Sequence, residues 1–384
     1  MTFKKELIQA RDFKNYGNFK QALELFEKLY NENPDGFTYK QKVDYAWTII
    51  KVKTQDKNDL DSLIEAAECI TGLLPQADMN VSRGCPYTTA VYKVLVKLFH
   101  DGQFIEMIPW LEKIDPDLLD DRPYRSYGKL QRSRREEYYS WASKAYLENM
   151  EFEKCIEVSM TGLNAIRTYH ETSDTWLKWR IAKSLKEMNR FREALPYFLE
   201  VIKVKHEWHM YRDTAECYYM INKPYVALDY ICPAVLSSES SNTKVNIYRL
   251  CYNVFKSFNP EMALKHAQLY YMIMLEKGYS VPYDIEGLNI DESQLNRKQL
   301  EREITELWTQ YKYKNHKRCY GKVIEYDEHE SSGLIETDDN EKIAFNKNEF
   351  KGDAVLVGQQ VSFYMEDNPD KSGKLKKAVI VRGE

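Results

Sequence analysis

Residues 10–34 read ARDFKNYGNFKQALELFEKLYNENP, and this stretch decides the fold predicted for most of the chain. Small residues stand at Ala10 and Ala22, on either side of a loop that contains Gly17. Large apolar residues occur at helical spacing at Phe13, Phe26 and Leu29, and Pro34 follows the second helix. The pattern predicts two amphipathic helices joined by a tight turn. Small residues would let these helices approach, and large ones would pack against the next pair.

Two further stretches repeat this spacing. One consists of Trp179, Ala182, Leu185, Ala194 and Phe198, and the other, displaced by 33 residues, of Tyr211, Ala215, Tyr218, Ala227 and Ile231. The repetition resembles tetratricopeptide repeat proteins over residues 3–278. This resemblance implies an α-solenoid that binds a protein or peptide along its groove.

Weaker helix pairs fill the intervals and bring the expected total to about seven. They comprise residues 39–52 with 60–74, 87–99 with 104–114, 136–148 with 152–165, and 243–258 with 261–277. An apolar stripe predicts one more helix, from Glu292 to Tyr313, that caps the solenoid. We therefore expect a solenoid over residues 1–290, a capping or linker helix over 291–316 and a small β domain over 317–384.

The last part of the chain has a different pattern. Short alternating apolar segments between turn residues predict about five antiparallel strands closed into a barrel of the OB type. The segments are residues 321–327, 333–335, 342–350, 357–363 and 378–381. Their order, with Gly321, Lys322 and Val323 first and Gly333 before an apolar pair, resembles a cold-shock domain. The expected fold class is thus mainly α, a solenoid followed by a five-stranded OB or cold-shock-like barrel.

The cold-shock resemblance implies contact with RNA or single-stranded DNA by base stacking inside a basic groove. Most of the rings are absent, because Glu325 stands where that family usually has Trp and Ser332 and Leu334 stand where it has Phe. The remaining candidates for charge and stacking are Lys322, Tyr326, Phe345 and Lys347. Residues 319–384 hold nine Lys and Arg against fourteen Asp and Glu, which weakens phosphate attraction. Two alternatives stay open: a reduced nucleic-acid module, or a barrel reused for protein contact or structure.

A basic segment, Arg122 to Arg135, lies in the middle of the chain. Its cations are Arg122, Arg125, Lys129, Arg132, Arg134 and Arg135, and Tyr124 and Tyr127 lie among them. Such a segment suits phosphates, an acidic protein partner, or a solvated loop balanced by nearby acids. A second basic patch, residues 312–318, adjoins the first barrel strand, and Lys374, Lys376 and Lys377 lie on or near the last one.

No metal, cofactor or catalytic centre is predicted. His206 and His209 have helical spacing, but no third ligand is recognisable near them. The seven cysteines are far apart and include no C-x-x-C pair, and several fit helix-crossing positions as small apolar fillers. The chain lacks a nucleophile elbow, a Walker loop and a G-x-G-x-x-G turn, so we expect no enzyme.

Composition bounds the remaining possibilities. A hydrophobic share of 43% with 30% charged residues indicates a folded chain with a polar surface. Neither a signal peptide nor a membrane span is predicted, so the cytoplasm is the expected location. The net charge of −4 gives no general attraction to nucleic acid. The leading hypothesis is an adaptor that binds a protein or peptide through its solenoid and weakly contacts RNA or single-stranded DNA through its barrel. The alternative is a purely protein-binding scaffold or regulatory subunit.

Overall fold

The computed structural model describes residues 3–56, 59–80, 84–126, 128–288, 290–291, 293, 295–352, 354–367 and 376–383. It divides into two compact units, Met1–Tyr230 and Ile231–Glu384. The described residues form helix pairs followed by a closed five-stranded barrel, as predicted. The predicted domain boundaries at residues 290 and 316 stay predictions.

The first unit consists of helix pairs, and from α1 to α11 each helix packs against the next in the chain. Its helices are α1 Phe3–Asn15, α2 Phe19–Glu32, α3 Tyr39–Lys53, α4 Leu60–Leu73, α5 Pro86–His100, α6 Ile108–Leu111, α7 Arg134–Glu148, α8 Phe152–Ala165, α9 Ser173–Glu187, α10 Phe191–Val201, α11 Trp208–Met220 and α12 Pro224–Val235, whose last residues belong to the second unit. First helices of successive pairs also touch, as α7 does α9. Stacking of this kind buries the apolar face that a single pair leaves open.

One turn recurs at the end of the first helix in five of these pairs. A residue there adopts the left-handed conformation, with φ of 82° at Gly17, 72° at Gly102, 59° at Met150, 60° at Asn189 and 61° at Asn222. The next amide donates back into the helix, as Asn18 N does to the Phe13 carbonyl at 2.8 Å. This αL cap ends the helix and reverses the chain, which is why glycine and asparagine are favoured there.

Two local features differ from the prediction. The helix expected over residues 104–114 is only the four residues of α6, because Pro109 lacks an amide proton and its ring excludes a preceding helical turn. The segment expected to be a loop before α7 contains a hairpin, β1 Tyr124–Ser126 and β2 Lys129–Gln131, in which Arg125 lies opposite Leu130.

The helices of the second unit, beyond the end of α12, are α13 Val245–Phe255, α14 Pro260–Glu276, α15 Tyr283–Glu286 and α16 Arg297–Lys312. Trp308 of α16 is completely buried, and its indole nitrogen donates to His266 Nε2 at 2.9 Å. Phe255 of α13 packs on the same indole with ring centroids 5.6 Å apart. The predicted stripe of α16 therefore forms a core with α13 and α14, while Glu292, its predicted start, lies outside the described residues.

Five strands close the barrel in the order β3-β4-β5-β7-β6. They are β3 Cys319–Asp327, β4 Ser332–Thr337, β5 Lys342–Asn346, β6 Gln360–Asp367 and β7 Lys376–Gly383. Most neighbours are antiparallel, and the pairing of Ala344 with Lys377 joins β5 to β7 in parallel. Inward side chains such as Val323, Ile335, Phe345 and Phe363 fill the interior. Closure leaves no open sheet edge.

The end of α16 is fixed to β6 within the second unit. The rings of Tyr313 and Tyr364 stack with centroids 4.5 Å apart at 10°, and the Tyr313 hydroxyl donates to Glu366. Lys312 donates to the same carboxylate at 2.5 Å, and Arg318 donates to the Ser362 hydroxyl at 2.8 Å. Burial favours the protonated form of Glu366, but the bonds from Lys312 and Tyr313 hold its pKa below the ordinary value.

The His266–Trp308 pair makes stability depend on pH. Burial lowers the pKa of His266 from 6.5 to about 4. Between these values the unfolded chain binds a proton at His266 and the folded chain does not, so stability falls as pH falls below 6.5. We expect a loss of about 2 kcal/mol between pH 7 and pH 5 from this group. Urea unfolding at both pH values should show that His266→Gln removes this part of the loss; a stability difference between the two proteins that stays constant with pH contradicts it.

Candidate protein-binding cleft

A cleft of about 700 Å³ lies along α5 in the first unit. Its apolar lining comes from Leu63, Met79, Tyr92 and Val96. The basic side chains around it are Lys93, Lys97, His100 and Arg134, and Asp101 is the one carboxylate among the lining residues that the structure describes. Counted over Lys, Arg and Asp, the described lining residues carry three cations and one carboxylate, a net charge of +2. The cleft thus combines an apolar surface with positive charge.

Arg134, at the start of α7, is held in place by aromatic rings. Its guanidinium lies 4.8 Å from the ring centroid of Tyr92 and 5.2 Å from that of Tyr124, and Nη1 donates to Glu137 at 2.8 Å. The Tyr92 hydroxyl donates to the Arg134 carbonyl at 2.7 Å. Burial raises the pKa of Tyr92 well above its usual range, so its hydroxyl stays protonated. These contacts fix one cation of the cleft in position.

Two other polar residues belong to the lining of the cleft. Thr88 is 1% exposed, and its hydroxyl has no hydrogen-bond partner among the described residues. Lys97 pairs with Asp101 at 2.7 Å, four positions along the helix. An exposed pair of that kind contributes only about 0.3–0.5 kcal/mol, so a bound anion can replace it at small cost.

The basic segment Arg122 to Arg135 does not act as one patch. Arg134 reaches the α5 cleft, whereas Arg135 donates to the carbonyls of Pro116 and Asp117 at 3.0 and 2.8 Å and so anchors the preceding loop. Arg122 pairs with Asp120 at 3.0 Å. Arg125 and Lys129 are exposed on the hairpin and Arg132 is half-buried after it, while Tyr127 lies outside the described residues.

The barrel presents an acidic cleft of about 510 Å³ on the face formed by β3, β4 and β5. Small and apolar residues line part of it, including Gly333, Leu334 and Ala344. Its charged lining consists of Glu325, Asp327, Glu330, Glu349 and Lys377. Among the described residues of this lining, four carboxylates stand against one amine, a balance that repels a phosphate backbone.

The four barrel residues singled out in the sequence occupy different environments. Phe345 is 2% exposed in the core, so its ring has no free face for a base. Tyr326 is half-buried against that core, with its ring centroid 6.3 Å from that of Phe345. Lys322 is exposed on β3, and the Lys347 ammonium lies 5.5 Å from the Phe350 ring centroid. They do not form a joint stacking platform.

The other basic residues singled out near the barrel also lie in different environments. Lys312 and Arg318 of the second basic patch bind β6, as described above, and Lys377 contributes to the acidic cleft. Lys376 is exposed at the start of β7, and Lys374 lies outside the described residues.

His206 and His209 make separate contacts. His206 Nδ1 lies 2.9 Å from the Tyr211 hydroxyl, and His209 packs against the rings of Trp179 and Trp208. Within the described ranges, no three His, Cys, Asp or Glu side chains come together in a group that could hold a metal ion. No helix in those ranges has the length and apolar character needed to cross a bilayer.

No protein-family profile matches the sequence. No curated protein matches it either. Solved structures with a similar arrangement include the apo form of RapI, 15% identical over 82% of this chain and 88% of that chain, with a TM-score of 0.41. A tetratricopeptide repeat protein from Parabacteroides merdae is 14% identical over 80% of this chain and 98% of its own, with a TM-score of 0.34. MamA residues 41 to the end, from Desulfovibrio magneticus, are 13% identical over 50% and 97%, with a TM-score of 0.37.

Proposed function

We propose that this chain is a non-enzymatic, protein-binding scaffold whose α5 cleft holds a segment of a partner protein with acidic and apolar side chains. The observation that carries the proposal is the pairing of an apolar lining with a net positive charge in one cleft. Apolar side chains supply binding free energy, and the cations select the sign of the partner.

The proposal gives the barrel a structural or protein-contact role. Nucleic-acid contact through Lys322, Tyr326, Phe345 and Lys347 is disfavoured, because Phe345 is buried and the adjoining cleft is acidic. The basic residues Lys312 and Arg318 hold α16 to β6 instead of extending a phosphate track. These contacts support the interpretation that the barrel is a module attached to α16.

Fluorescence anisotropy with labelled peptides tests the peptide-binding proposal. The probes are a fifteen-residue peptide of Asp, Glu, Leu and Phe, its counterpart with Lys and Arg replacing the acids, and an acidic peptide with Ser replacing the apolar residues. We expect the full chain to bind the first most tightly, since only that peptide satisfies both the charge and the apolar lining of the cleft. Equal binding of the first two peptides would reject the cleft assignment.

Single-stranded oligonucleotides provide a separate prediction. At about 50 mM salt we expect no barrel-dependent binding of mixed-sequence RNA or DNA, because four carboxylates line the face on which bases would stack. Anisotropy should therefore be the same for the wild type and for Tyr326→Ala, with Tyr320→Ala as an exposed aromatic control on the same strand. Binding that weakens with salt and specifically in Tyr326→Ala contradicts the prediction and restores the nucleic-acid alternative.

A further inference from the structure

Arg180, on α9, is a buried cation without a carboxylate partner. It is 8% exposed, and its guanidinium makes one hydrogen bond, from Nη1 to the Ser143 hydroxyl at 3.2 Å. No described carboxylate forms an ion pair with it. A guanidinium has five donors, so most of its hydrogen-bonding capacity remains unused.

Burial opposes the charge of Arg180, and its neighbours act in both directions, with Cys155 favouring the charged form. Burial lowers the pKa of Arg180 to about 10, and the nearby cation Arg132 contributes in the same direction. Burial also lowers the pKa of Lys144 on α7, and Arg180 contributes to that shift. Glu148 acts on both cations in the opposite sense but does not overcome these effects. A buried charge among like charges is unfavourable unless an anion joins it.

A second buried cation on the same helix is neutralised by carboxylate partners. Lys186 is 9% exposed, but it pairs with Asp213 at 3.2 Å and Glu216 at 2.6 Å. No described carboxylate forms such a pair with Arg180, although Glu148 favours its charged form. Within the described residues, Arg180 therefore lacks the directly bonded carboxylate that Lys186 has.

Lys144 on α7 contacts aromatic rings on and beside α5, the helix along which the cleft lies. The Lys144 ammonium lies 5.5 Å from the ring centroid of Phe99 on α5 and 3.9 Å from that of Phe104. Helix α7, which carries Lys144, also packs on α9, which carries Arg180. Lys144 therefore touches side chains next to α5 from the helix that separates α5 from Arg180.

We propose that Arg180, with Lys144 and Arg132, binds a carboxylate of the same partner segment that occupies the α5 cleft. This inference rests on the proposed function, because it assigns a second anchor for that partner. A carboxylate on a flexible Asp or Glu side chain can reach a recessed guanidinium. A polynucleotide instead requires exposed cations along its backbone, which a side chain at 8% exposure does not provide.

Two matched variants test the anchor. Arg180→Met removes an uncompensated charge, so we expect the thermal midpoint of the full chain to rise by about 2 °C or more. Lys186→Met removes a charge that is paired with carboxylates, so it should lower the thermal midpoint by a similar amount. Binding of the acidic, apolar peptide should weaken about tenfold or more in Arg180→Met and stay within about twofold in Lys186→Met. Arg180→Lys keeps the charge but not the planar guanidinium, so its peptide affinity should lie between those of the wild type and Arg180→Met.

A small probe makes the test independent of the peptide. At constant ionic strength, sodium glutarate should raise the midpoint of the wild type but not that of Arg180→Met. If Arg180→Met is less stable and retains wild-type peptide affinity, Arg180 is structural and the anchor is rejected. If no peptide binds but glutarate stabilises only the wild type, the proposed function fails and the carboxylate site stands. If single-stranded RNA, but not glutarate, stabilises through Arg180, the carboxylate assignment is wrong.

Discussion

Replacing Lys93 and Lys97 together by Glu is expected to weaken binding of the acidic, apolar peptide roughly a hundredfold or more. Both lysines line the α5 cleft, so the double replacement changes its net charge from +2 to −2. Each hydrogen bond to a charged group contributes about 1.5–3 kcal/mol, and the new carboxylates add repulsion. Fluorescence anisotropy of the labelled peptide measures the change.

The matched control is Lys20→Glu with Lys28→Glu on α2. It alters the total charge equally, and Lys28 also has a partner four positions away, Glu32 at 4.0 Å. Both lysines are exposed, and neither lines the α5 cleft. Equal loss of affinity in the two double variants means that total charge, rather than the cleft, attracts the peptide.

Trp308→Ala is expected to destabilise the second unit by about 3–5 kcal/mol. The indole is completely buried, packs on Phe255 and donates to His266. Its removal leaves a cavity and an unsatisfied acceptor on His266, and each effect is costly. Urea unfolding followed by circular dichroism should show the transition of this unit at clearly lower denaturant.

Tyr320→Ala is the control for that result. Tyr320 belongs to the same unit and is 51% exposed on β3, so its truncation should cost less than about 0.5 kcal/mol. A Trp308→Ala protein as stable as Tyr320→Ala contradicts the packing of α16 against α13 and α14.

The sequence predicts the helix pairs well because each repeat encodes its own packing. Ala10 and Ala22 are fully buried, Phe26 is 1% exposed, and Gly17 has the positive φ of its turn. The turn at Met150 is less apparent from sequence, because a bulky residue adopts a conformation that glycine favours. The spacing of apolar residues specifies which faces are buried but not how a loop such as β1–β2 folds between pairs.

For Phe345, the sequence pattern and the family resemblance predict different environments. Along β5, Ile343 and Phe345 are buried while Lys342, Ala344 and Asn346 are exposed. This period of two places Phe345 with Ile343 on the inner face, so the alternation in the sequence already indicates a core ring. The resemblance to cold-shock domains instead predicts that the Phe345 ring stacks on a base.

The α5 cleft and Arg180 could not be identified from sequence order. Tyr92 and Arg134 are 42 positions apart, and their contact depends on how α7 returns beside α5 after an intervening loop and hairpin. Arg180 resembles any other helical arginine until the stacked helices reveal that no described acid pairs with it. Both features arise from tertiary stacking, which local periodicity does not encode.

Selection from a displayed library of random peptides tests the central claim most directly. The full wild-type chain serves as the target, and the Lys93→Glu/Lys97→Glu protein serves to remove peptides that bind elsewhere. We expect the retained sequences to be enriched in Asp and Glu beside Leu, Phe or other large apolar residues. Enrichment of basic sequences, or retention of the same sequences by both proteins, would contradict an anion-selective, apolar cleft along α5.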